Sequence, residues 1–435
     1  MLSKIKDSIF ILSGSWLLFE QAVRVIISTI YIFLLASYLG PSEFGQFIYI
    51  LLIISFIKGI VNFGLEDVLV KFLGSNNKLS FEYIFTSFQI KTFINSFIFL
   101  LLALLNFFYY QNNFYLFSIL VLTGFNFFSN FDVISSFYES RVEGKSIAIC
   151  KLAQLFLVTI FKIYILFYEY DLIYFIIAYG LELLFLGIFY LISFRSYLKE
   201  FFKIPFNPNL LIKIIKEAFG YLLISFIGIF FVRIDQIMVQ NLLDFEQLGY
   251  FGLSNRFTDV LFIIPLIIAR TIFPKMIQLS KDNQKYESFL SNLFTILVWS
   301  SVIFIIPLIY LGNIIIDTYF FDSLYRSSFD VFIIYVWVLI PYMFHQLTFR
   351  HLLIKEKIKS NLLRFIYAIF ISFLLNWILI PIYGINGAAL STLISFTFLG
   401  IFADLFSRNT TSLFYLKIKS LNPLNYYFAI NEIKR

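Results

Sequence analysis

The sequence has 435 residues, 60% of them hydrophobic and 14% charged, with a mean hydropathy of +0.88. Because a soluble domain is about a quarter charged, this composition excludes a soluble protein and predicts an integral membrane protein built from apolar helices. One cysteine and two histidines exclude a disulfide framework, a thiolate metal site and a Cys–His nucleophile pair, and the net charge of +7 does not by itself indicate nucleic acid.

Apolar segments of about 20 residues recur along the chain, and at about 1.5 Å per residue each can cross a hydrocarbon core of about 30 Å. The first segment is too long for a cleaved signal sequence, so we expect it to be retained as a helix. The predicted fold is therefore all-α, with twelve transmembrane helices. The spans are predicted at residues 10–36, 44–64, 83–107, 114–137, 148–167, 172–193, 218–240, 249–272, 289–311, 329–349, 361–382 and 386–406.

The first two spans form a helical hairpin with a short turn at residues 39–44. This hairpin recurs later in the chain, because Gly45-Gln46-Phe47 aligns with Gly249-Tyr250-Phe251 at a shift of 204 residues. Helix, short turn and helix follow in the same order in both places. The alignment predicts that the chain contains two copies of an internal repeat.

The connections between spans alternate in charge. The connections after even-numbered spans and the termini, together with the span ends next to them, hold 28 of the 33 lysines and arginines, whereas the connections after odd-numbered spans hold only Arg326. The other four basic residues lie deeper within spans. By the positive-inside rule, both termini are predicted to be cytoplasmic.

The longest basic connection contains Pro205 and Pro208 and divides six spans from six. Two such halves, each beginning and ending inside, have the same orientation and are predicted to form parallel lobes related by an axis along the membrane normal. The predicted domains are an N-lobe (1–200), a cytoplasmic connection (201–217), a C-lobe (218–406) and a cytoplasmic tail (407–435).

Charged side chains lie within the predicted spans, where each costs on the order of 2.5–3.5 kcal/mol at the centre of the bilayer. Mutual pairing is one interpretation, since helix geometry lets residues three or four apart interact. Lys162 could also reach Glu182 across the neighbouring span, whereas Arg233 and Asp235 point to different faces. The bases are Arg24, Lys162, Arg233 and Arg256, and the acids nearest to them are Glu20, Glu182, Asp235 and Asp259.

A second interpretation of the four bases stays open. Arg24 lies near the middle of its span, and the other three lie on the order of 6 Å toward the outer face. If all four face the axis between the halves, they form a basic cluster that suits an anionic group, above all phosphate. Asp132, His345 and Asp404 lie near cytoplasmic helix ends, where we expect them to meet water.

Four stretches carry a resemblance to a known family: LASYLGPSEFGQF (35–47), NFGLEDVLVKFLG (62–74), RIDQIMVQNLLDFEQLGYFGLSNRF (233–257) and YGINGAALSTLIS (383–395). With the twelve predicted spans, the chain resembles the polysaccharide-biosynthesis flippases (Wzx type) of the multidrug/oligosaccharidyl-lipid/polysaccharide (MOP) exporter superfamily over residues 1–406. The resemblance implies a V-shaped, two-lobe transporter of the bacterial cytoplasmic (inner) membrane. Such a protein moves undecaprenyl-pyrophosphate-linked oligosaccharide from the inner to the outer leaflet by alternating access.

Under this resemblance, Arg24, Arg233, Arg256 and Lys162 are expected to hold the pyrophosphate. The acids are either their partners or candidates for binding a coupling ion, H⁺ or Na⁺, and no other cofactor is expected. The expected partners are the lipid-linked oligosaccharide, membrane lipids and polysaccharide polymerase or assembly proteins, with no nucleic acid.

Three alternatives remain. Lipid II flippases and drug/cation antiporters are neighbouring branches of the superfamily. An antiporter for cations would require anionic groups in its lumen. A membrane enzyme acting on the same lipid, such as a polymerase or ligase, would be expected to carry a large outer loop rich in Arg or His. Here the outer loops are short and hold one arginine, which favours a transporter without enzymatic activity.

Overall fold

The computed structural model describes residues 2–75, 80–109, 113–319, 325–406 and 410–426, and within these ranges every regular element is helical. The α-helices are α1 (Leu2–Asn62), α2 (Leu65–Ser75), α3 (Ser80–Tyr109), α4 (Phe114–Phe125), α5 (Val133–Ser140), α6 (Gly144–Phe167), α7 (Leu172–Ser193), α8 (Leu198–Phe201), α9 (Pro208–Leu242), α10 (Phe245–Leu279), α11 (Asn283–Tyr319), α12 (Arg326–Tyr335), α13 (Leu339–Ile354), α14 (Ile358–Gly400) and α15 (Thr411–Ser420). The prediction of an all-α protein is confirmed.

Ten helical segments of the described chain are long and apolar enough to cross a membrane. Two of them, Ser13–Asn62 and Lys359–Gly400, have 50 and 42 residues, about twice the length that one crossing needs. Each contains one glycine with non-helical backbone angles, Gly40 in α1 and Gly384 in α14. The chain is therefore a multi-span membrane protein.

Both glycine breaks fall where the sequence predicts a connection. Gly40 has φ +70°, a left-handed conformation that glycine adopts without the penalty of a Cβ. Pro41 follows it, and proline is well suited to start the next helical arm because it lacks only an N–H that would be unpaired there. Gly384, with φ +59°, breaks α14 in the same way between the last two predicted spans.

Short 3₁₀ segments interrupt two of the predicted spans at corresponding places. Asn126–Asp132 joins α4 to α5, and Val336–Val338 joins α12 to α13. These are the fourth span of the first predicted half and the fourth span of the second. A 3₁₀ interruption in the same span of each half supports the internal repeat.

The residues divide into two compact units by their contacts. The first comprises 1–39 and 50–229, and the second comprises 40–49 and 230–435. The turn of the first hairpin thus belongs to the second unit, although the sequence places it in the N-lobe, and α9 begins at Pro208, inside the predicted connection 201–217.

In the first unit, the N-terminal arm of α1 packs along α6 in the same direction. The Ser13 hydroxyl accepts a hydrogen bond from the Gly144 N–H at 2.8 Å. Further along, the Tyr38 hydroxyl donates to the Tyr170 carbonyl, just after the end of α6, at 3.2 Å. A buried aromatic cluster around Phe137 joins α3 and α5 to Phe194 and, through it, to Phe201 of α8. These packing contacts fix the helix faces that carry the charged side chains.

In the second unit, α15 is docked against the helical bundle. The Trp299 indole N–H donates to the Ser420 carbonyl at 3.3 Å, and the Lys417 ammonium is fully buried. The predicted tail comprises residues 407–435, of which 407–409 and 427–435 lie outside the described residues. Its described part forms a packed helix.

Candidate functional site

Glu20 and Arg24 form an ion pair within α1. Arg24 Nε lies 2.6 Å from Glu20 Oε1, and Arg24 Nη2 lies 3.5 Å from the carbonyl oxygen of Lys151 on α6. The Glu20 side chain is 4% exposed and that of Arg24 is 33% exposed. The predicted pairing is confirmed, and the guanidinium keeps part of its donor edge accessible.

Lys162 and Glu182 form a second ion pair in the first unit. They lie on the consecutive helices α6 and α7, and the predicted reach across neighbouring spans is confirmed. The Lys162 ammonium also lies 4.5 Å from the centre of the Tyr31 ring, so it has a cation–π contact on its α1 side. Tyr31 is two helical turns from Arg24, so both basic side chains contact the packed faces of α1 and α6.

Arg233, Arg256 and Asp259 form a three-residue cluster in the second unit. Asp259 Oδ2 lies 3.3 Å from Arg233 Nη2 and 3.9 Å from Arg256 Nη1. The predicted i,i+3 pairing of Arg256 with Asp259 is confirmed, and the partner of Arg233 proves to be the same carboxylate. The three side chains are 24–34% exposed. The cluster carries two positive charges and one negative charge.

Asp235 is buried and held by hydrogen bonds from uncharged groups. Its Oδ2 accepts from the Tyr335 hydroxyl at 3.3 Å and from the Thr392 hydroxyl at 3.0 Å, and its Oδ1 accepts from the Gln236 N–H at 2.7 Å. Among the residues that the structure describes, no basic side chain lies within ion-pair distance of it. As predicted, Arg233 and Asp235 have separate partners.

The expectation that Asp404 and His345 meet water is wrong. Asp404 is fully buried, 3.0 Å from Arg364 Nη2 and 2.5 Å from Lys417 Nζ, and His345 is 5% exposed. The sequence pattern suggested a helix end in water, but α15 covers this position and supplies Lys417. Asp404, Arg364 and Lys417 form a structural clamp between the tail and the bundle.

Sequence reasoning also missed a polar cavity in the first unit, lined in part by Lys58, Glu66, Lys91 and Asp132. Asp132 was expected at a helix end in water, whereas the carboxylate oxygen Oδ1 is enclosed. One signal was available: Lys91 lies eleven residues into α3, which is about 16 Å along the helix. A lysine at that depth needs a polar environment.

The four predicted bases therefore lie in two sets, Arg24 and Lys162 in the first unit and Arg233 and Arg256 in the second. A family model described as polysaccharide biosynthesis protein matches residues 12–280, which is more than half of the chain. The chain belongs to the polysaccharide biosynthesis protein family. No curated protein matches the sequence.

Solved structures with a similar fold are membrane transporters and flippases. The lipid II flippase MurJ, in an inward closed conformation, superposes with a TM-score of 0.66 at 14% identity, covering 95% of each chain. An inward-facing multidrug resistance MATE family transporter of the MOP superfamily gives 0.69 at 12% identity, covering 91% of this chain and 95% of its own. A MOP superfamily transporter from Pyrococcus furiosus, described as having a binding pocket of reversed polarity, gives 0.63 at 12% identity, covering 93% and 95%. This member of the polysaccharide biosynthesis protein family thus has the MOP transporter fold.

Proposed function

We propose that the chain is a flippase that moves undecaprenyl-pyrophosphate-linked oligosaccharide repeat units from the inner to the outer leaflet of a bacterial cytoplasmic membrane. It works by alternating access and serves the synthesis of a surface polysaccharide such as O-antigen or capsule. In this proposal the chain crosses the membrane twelve times in two parallel six-helix lobes. The glycine breaks in α1 and α14 turn the ten long helical segments into twelve crossings, and both termini are cytoplasmic.

The cluster of Arg233, Arg256 and Asp259 is the observation that carries the proposal. One carboxylate faces two guanidinium groups. Guanidinium groups bind phosphate oxygens in a bidentate way, and a partly exposed pair in a membrane-spanning region suits a diphosphate. Two guanidinium groups would also repel a cationic drug, so the cluster favours a flippase over a drug/cation antiporter.

Arg24 and Lys162 supply the corresponding charges in the first unit. Each has a carboxylate partner, so their pairs are neutral as they stand. Arg24 uses its Nε for Glu20, and the weak 3.5 Å contact of Nη2 leaves that edge available to an arriving phosphate oxygen. Binding would then add an anion to an arginine whose position is already fixed.

Asp235 is the best candidate among the acids for binding a coupling ion. It is a buried carboxylate with hydroxyl neighbours, and no basic side chain of the described residues lies within ion-pair distance, so an ion would supply a directly bound positive charge. Glu20, Glu182 and Asp259 already have basic partners. The proposal therefore assigns H⁺ or Na⁺ coupling to Asp235.

Purified protein in liposomes tests the function directly. Undecaprenyl-pyrophosphate-linked oligosaccharide is placed in the inner leaflet of the vesicles. A membrane-impermeant lectin then measures its arrival at the outer face. We expect flipping above the rate of empty liposomes, and at least a tenfold loss in Arg233→Met. Arg326→Met, which removes an exposed arginine, is the matched control.

Two results would count against the proposal. Flipping no faster than in empty liposomes would contradict it, and export of a cationic dye at the same time would favour the antiporter. If the product is a joined or polymerised saccharide, the enzyme alternative is correct.

A further inference from the structure

A polar cavity lies inside the first unit, apart from the ion pairs of Arg24 and Lys162. Its volume is about 340 Å³, which lies within the range of about 300–1,000 Å³ that small-molecule sites occupy. The second arm of α1, α3 and the 3₁₀ segment Asn126–Asp132 contribute most of its wall. Its polar side chains are those of Ser55, Lys58, Asn62, Glu66, Lys91, Ser129 and Asp132.

Two lysines bring hydrogen-bond donors to this cavity. Lys91 is 3% exposed, and its nearest acidic atom, Glu66 Oε1, is 4.0 Å from Nζ, too far for a hydrogen bond. Lys58 donates one hydrogen bond to the Tyr179 hydroxyl at 3.2 Å, which leaves two N–H groups of its ammonium. The two ammonium groups therefore have more hydrogen-bond donors than the protein has acceptors within hydrogen-bond distance of them.

The same wall carries two carboxylate side chains, those of Glu66 and Asp132. An ionised carboxylate only accepts hydrogen bonds, whereas an ammonium group only donates them. The cavity thus presents hydrogen-bonding groups of both kinds.

The wall is held in place by a buried network of amides. Asn126 donates to Asn95 Oδ1 at 3.0 Å, the Ser129 hydroxyl donates to Asn126 Oδ1 at 2.8 Å, and Asn130 donates to the Thr92 hydroxyl at 3.3 Å. Thr92 follows Lys91 directly in α3. The network ties the 3₁₀ segment to α3, so the polar groups of the cavity are positioned before a ligand arrives.

The arrangement of donors and acceptors selects the class of ligand. A metal cation would satisfy the carboxylates of Glu66 and Asp132 but would be repelled by two ammonium groups. A phosphate would satisfy the lysines but would be repelled by the two carboxylates. A hydroxyl group both donates and accepts, so a polyhydroxylated ligand satisfies both sets.

We propose that this cavity binds one sugar residue of the lipid-linked oligosaccharide, a role that rests on the proposed function. The ammonium groups of Lys58 and Lys91 donate to sugar oxygens, and the sugar hydroxyls donate to the carboxylates of Glu66 and Asp132. The pyrophosphate is held elsewhere, by the cluster of Arg233, Arg256 and Asp259. The cavity then gives the transporter selectivity for the sugar, separate from its affinity for the lipid carrier.

Saturation-transfer NMR with detergent-solubilised protein tests this site. The probe is the oligosaccharide repeat unit released from the host's surface polysaccharide, which has neither pyrophosphate nor polyprenyl. We expect wild-type protein to bind it and Lys91→Met and Asp132→Asn to lose about tenfold or more in affinity. Lys285→Met and Asp282→Asn, which change an exposed pair of the same residue types, serve as controls and should bind like wild type.

A cysteine-labelling experiment tests occupancy of the cavity without removing any charged side chain from it. Ser55→Cys is placed in a Cys150→Ala background, and the rate of maleimide labelling is measured with and without the oligosaccharide. We expect the oligosaccharide to slow labelling at least severalfold. Unchanged labelling at saturating oligosaccharide would overturn the proposal even if the other variants failed to fold.

The outcomes separate this site from the proposed function. If wild-type protein flips the lipid-linked substrate while Lys91→Met and Asp132→Asn bind and transport normally, the cavity holds only water and the sugar site is wrong. Loss of inorganic pyrophosphate binding in Lys91→Met, with oligosaccharide binding intact, would instead make it an anion site and also overturn the proposal. If wild-type protein does not flip at all, the function itself fails, and binding of the free oligosaccharide still reports on the cavity.

Discussion

Gly45 and Gly249 lie against each other in two reciprocal contacts. A Cβ added to Gly45 would lie 1.7 Å from the carbonyl oxygen of Phe245, and one added to Gly249 would lie 2.0 Å from the carbonyl oxygen of Pro41. The 204-residue shift of the repeat exchanges these contacts, since it carries Pro41 onto Phe245 and Gly45 onto Gly249. The two copies of the hairpin turn thus meet backbone to backbone, in the way that small residues permit in membranes.

This contact predicts that alanine is not tolerated at either glycine. Gly45→Ala and Gly249→Ala must push two backbones apart, and we expect a loss of about 1–3 kcal/mol or more, seen as a lower Tm of the purified protein. Gly228→Ala is the control, because a Cβ there meets nothing within 4 Å and alanine favours a helix. Equal Tm values for all three variants would contradict the close contact.

The clamp of Asp404, Arg364 and Lys417 predicts unequal effects of its members. Asp404→Asn leaves two buried cations without a carboxylate, and we expect it to destabilise the protein by about 3–5 kcal/mol. Lys417→Met should cost less, because Arg364 still lies 3.0 Å from Asp404. Thermal unfolding in detergent measures both, with the exposed Asp282→Asn as control. A larger effect of Lys417→Met would show that Arg364 does not balance Asp404.

The same clamp predicts a dependence on pH. Burial lowers the pKa of Lys417 from 10.5 to about 8, despite the opposing effect of Asp404. Between these values the unfolded chain binds a proton that the folded protein lacks, so the free energy of unfolding rises with pH from about 8 to 10.5. The Tm of wild type relative to Lys417→Met should therefore increase over this range. A difference that stays flat or falls would contradict the shifted pKa.

The proposed role of Asp235 leads to a prediction about how transport responds to an ion gradient. Asp235→Asn keeps an acceptor for Tyr335 and Thr392 but removes the charge, so we expect a folded protein whose flipping no longer responds to Na⁺ or H⁺. The measurement is the flipping rate in liposomes with and without each gradient, beside Asp282→Asn. A variant that keeps the ion dependence of wild type would exclude Asp235 as the coupling site.

The local parts of this architecture could be predicted from the sequence. Glu20–Arg24 and Arg256–Asp259 follow from helix geometry alone, and the hairpin turn at Gly40 follows from glycine and proline chemistry. The partners of Asp235 lie 100 and 157 residues away in the chain, and no local pattern points to them. Lys417 is similar: a short, basic tail helix has the composition of an exposed segment, and only packing shows that its ammonium is buried.

Arg24 allows the sharpest test of the pyrophosphate role, because its pairing with Glu20 can be removed as a whole. If the 2.6 Å ion pair is only structural, replacing both residues with leucine should be tolerated, since a buried pair can often be exchanged for apolar residues. If Arg24 binds pyrophosphate, the Glu20→Leu/Arg24→Leu protein should insert and fold but fail to flip. Arg24→Lys should keep partial activity, because lysine retains the charge without the bidentate fork, and Arg24→Glu should be inactive. All variants are compared at equal membrane abundance, and full flipping by the double variant would leave Arg24 a structural charge.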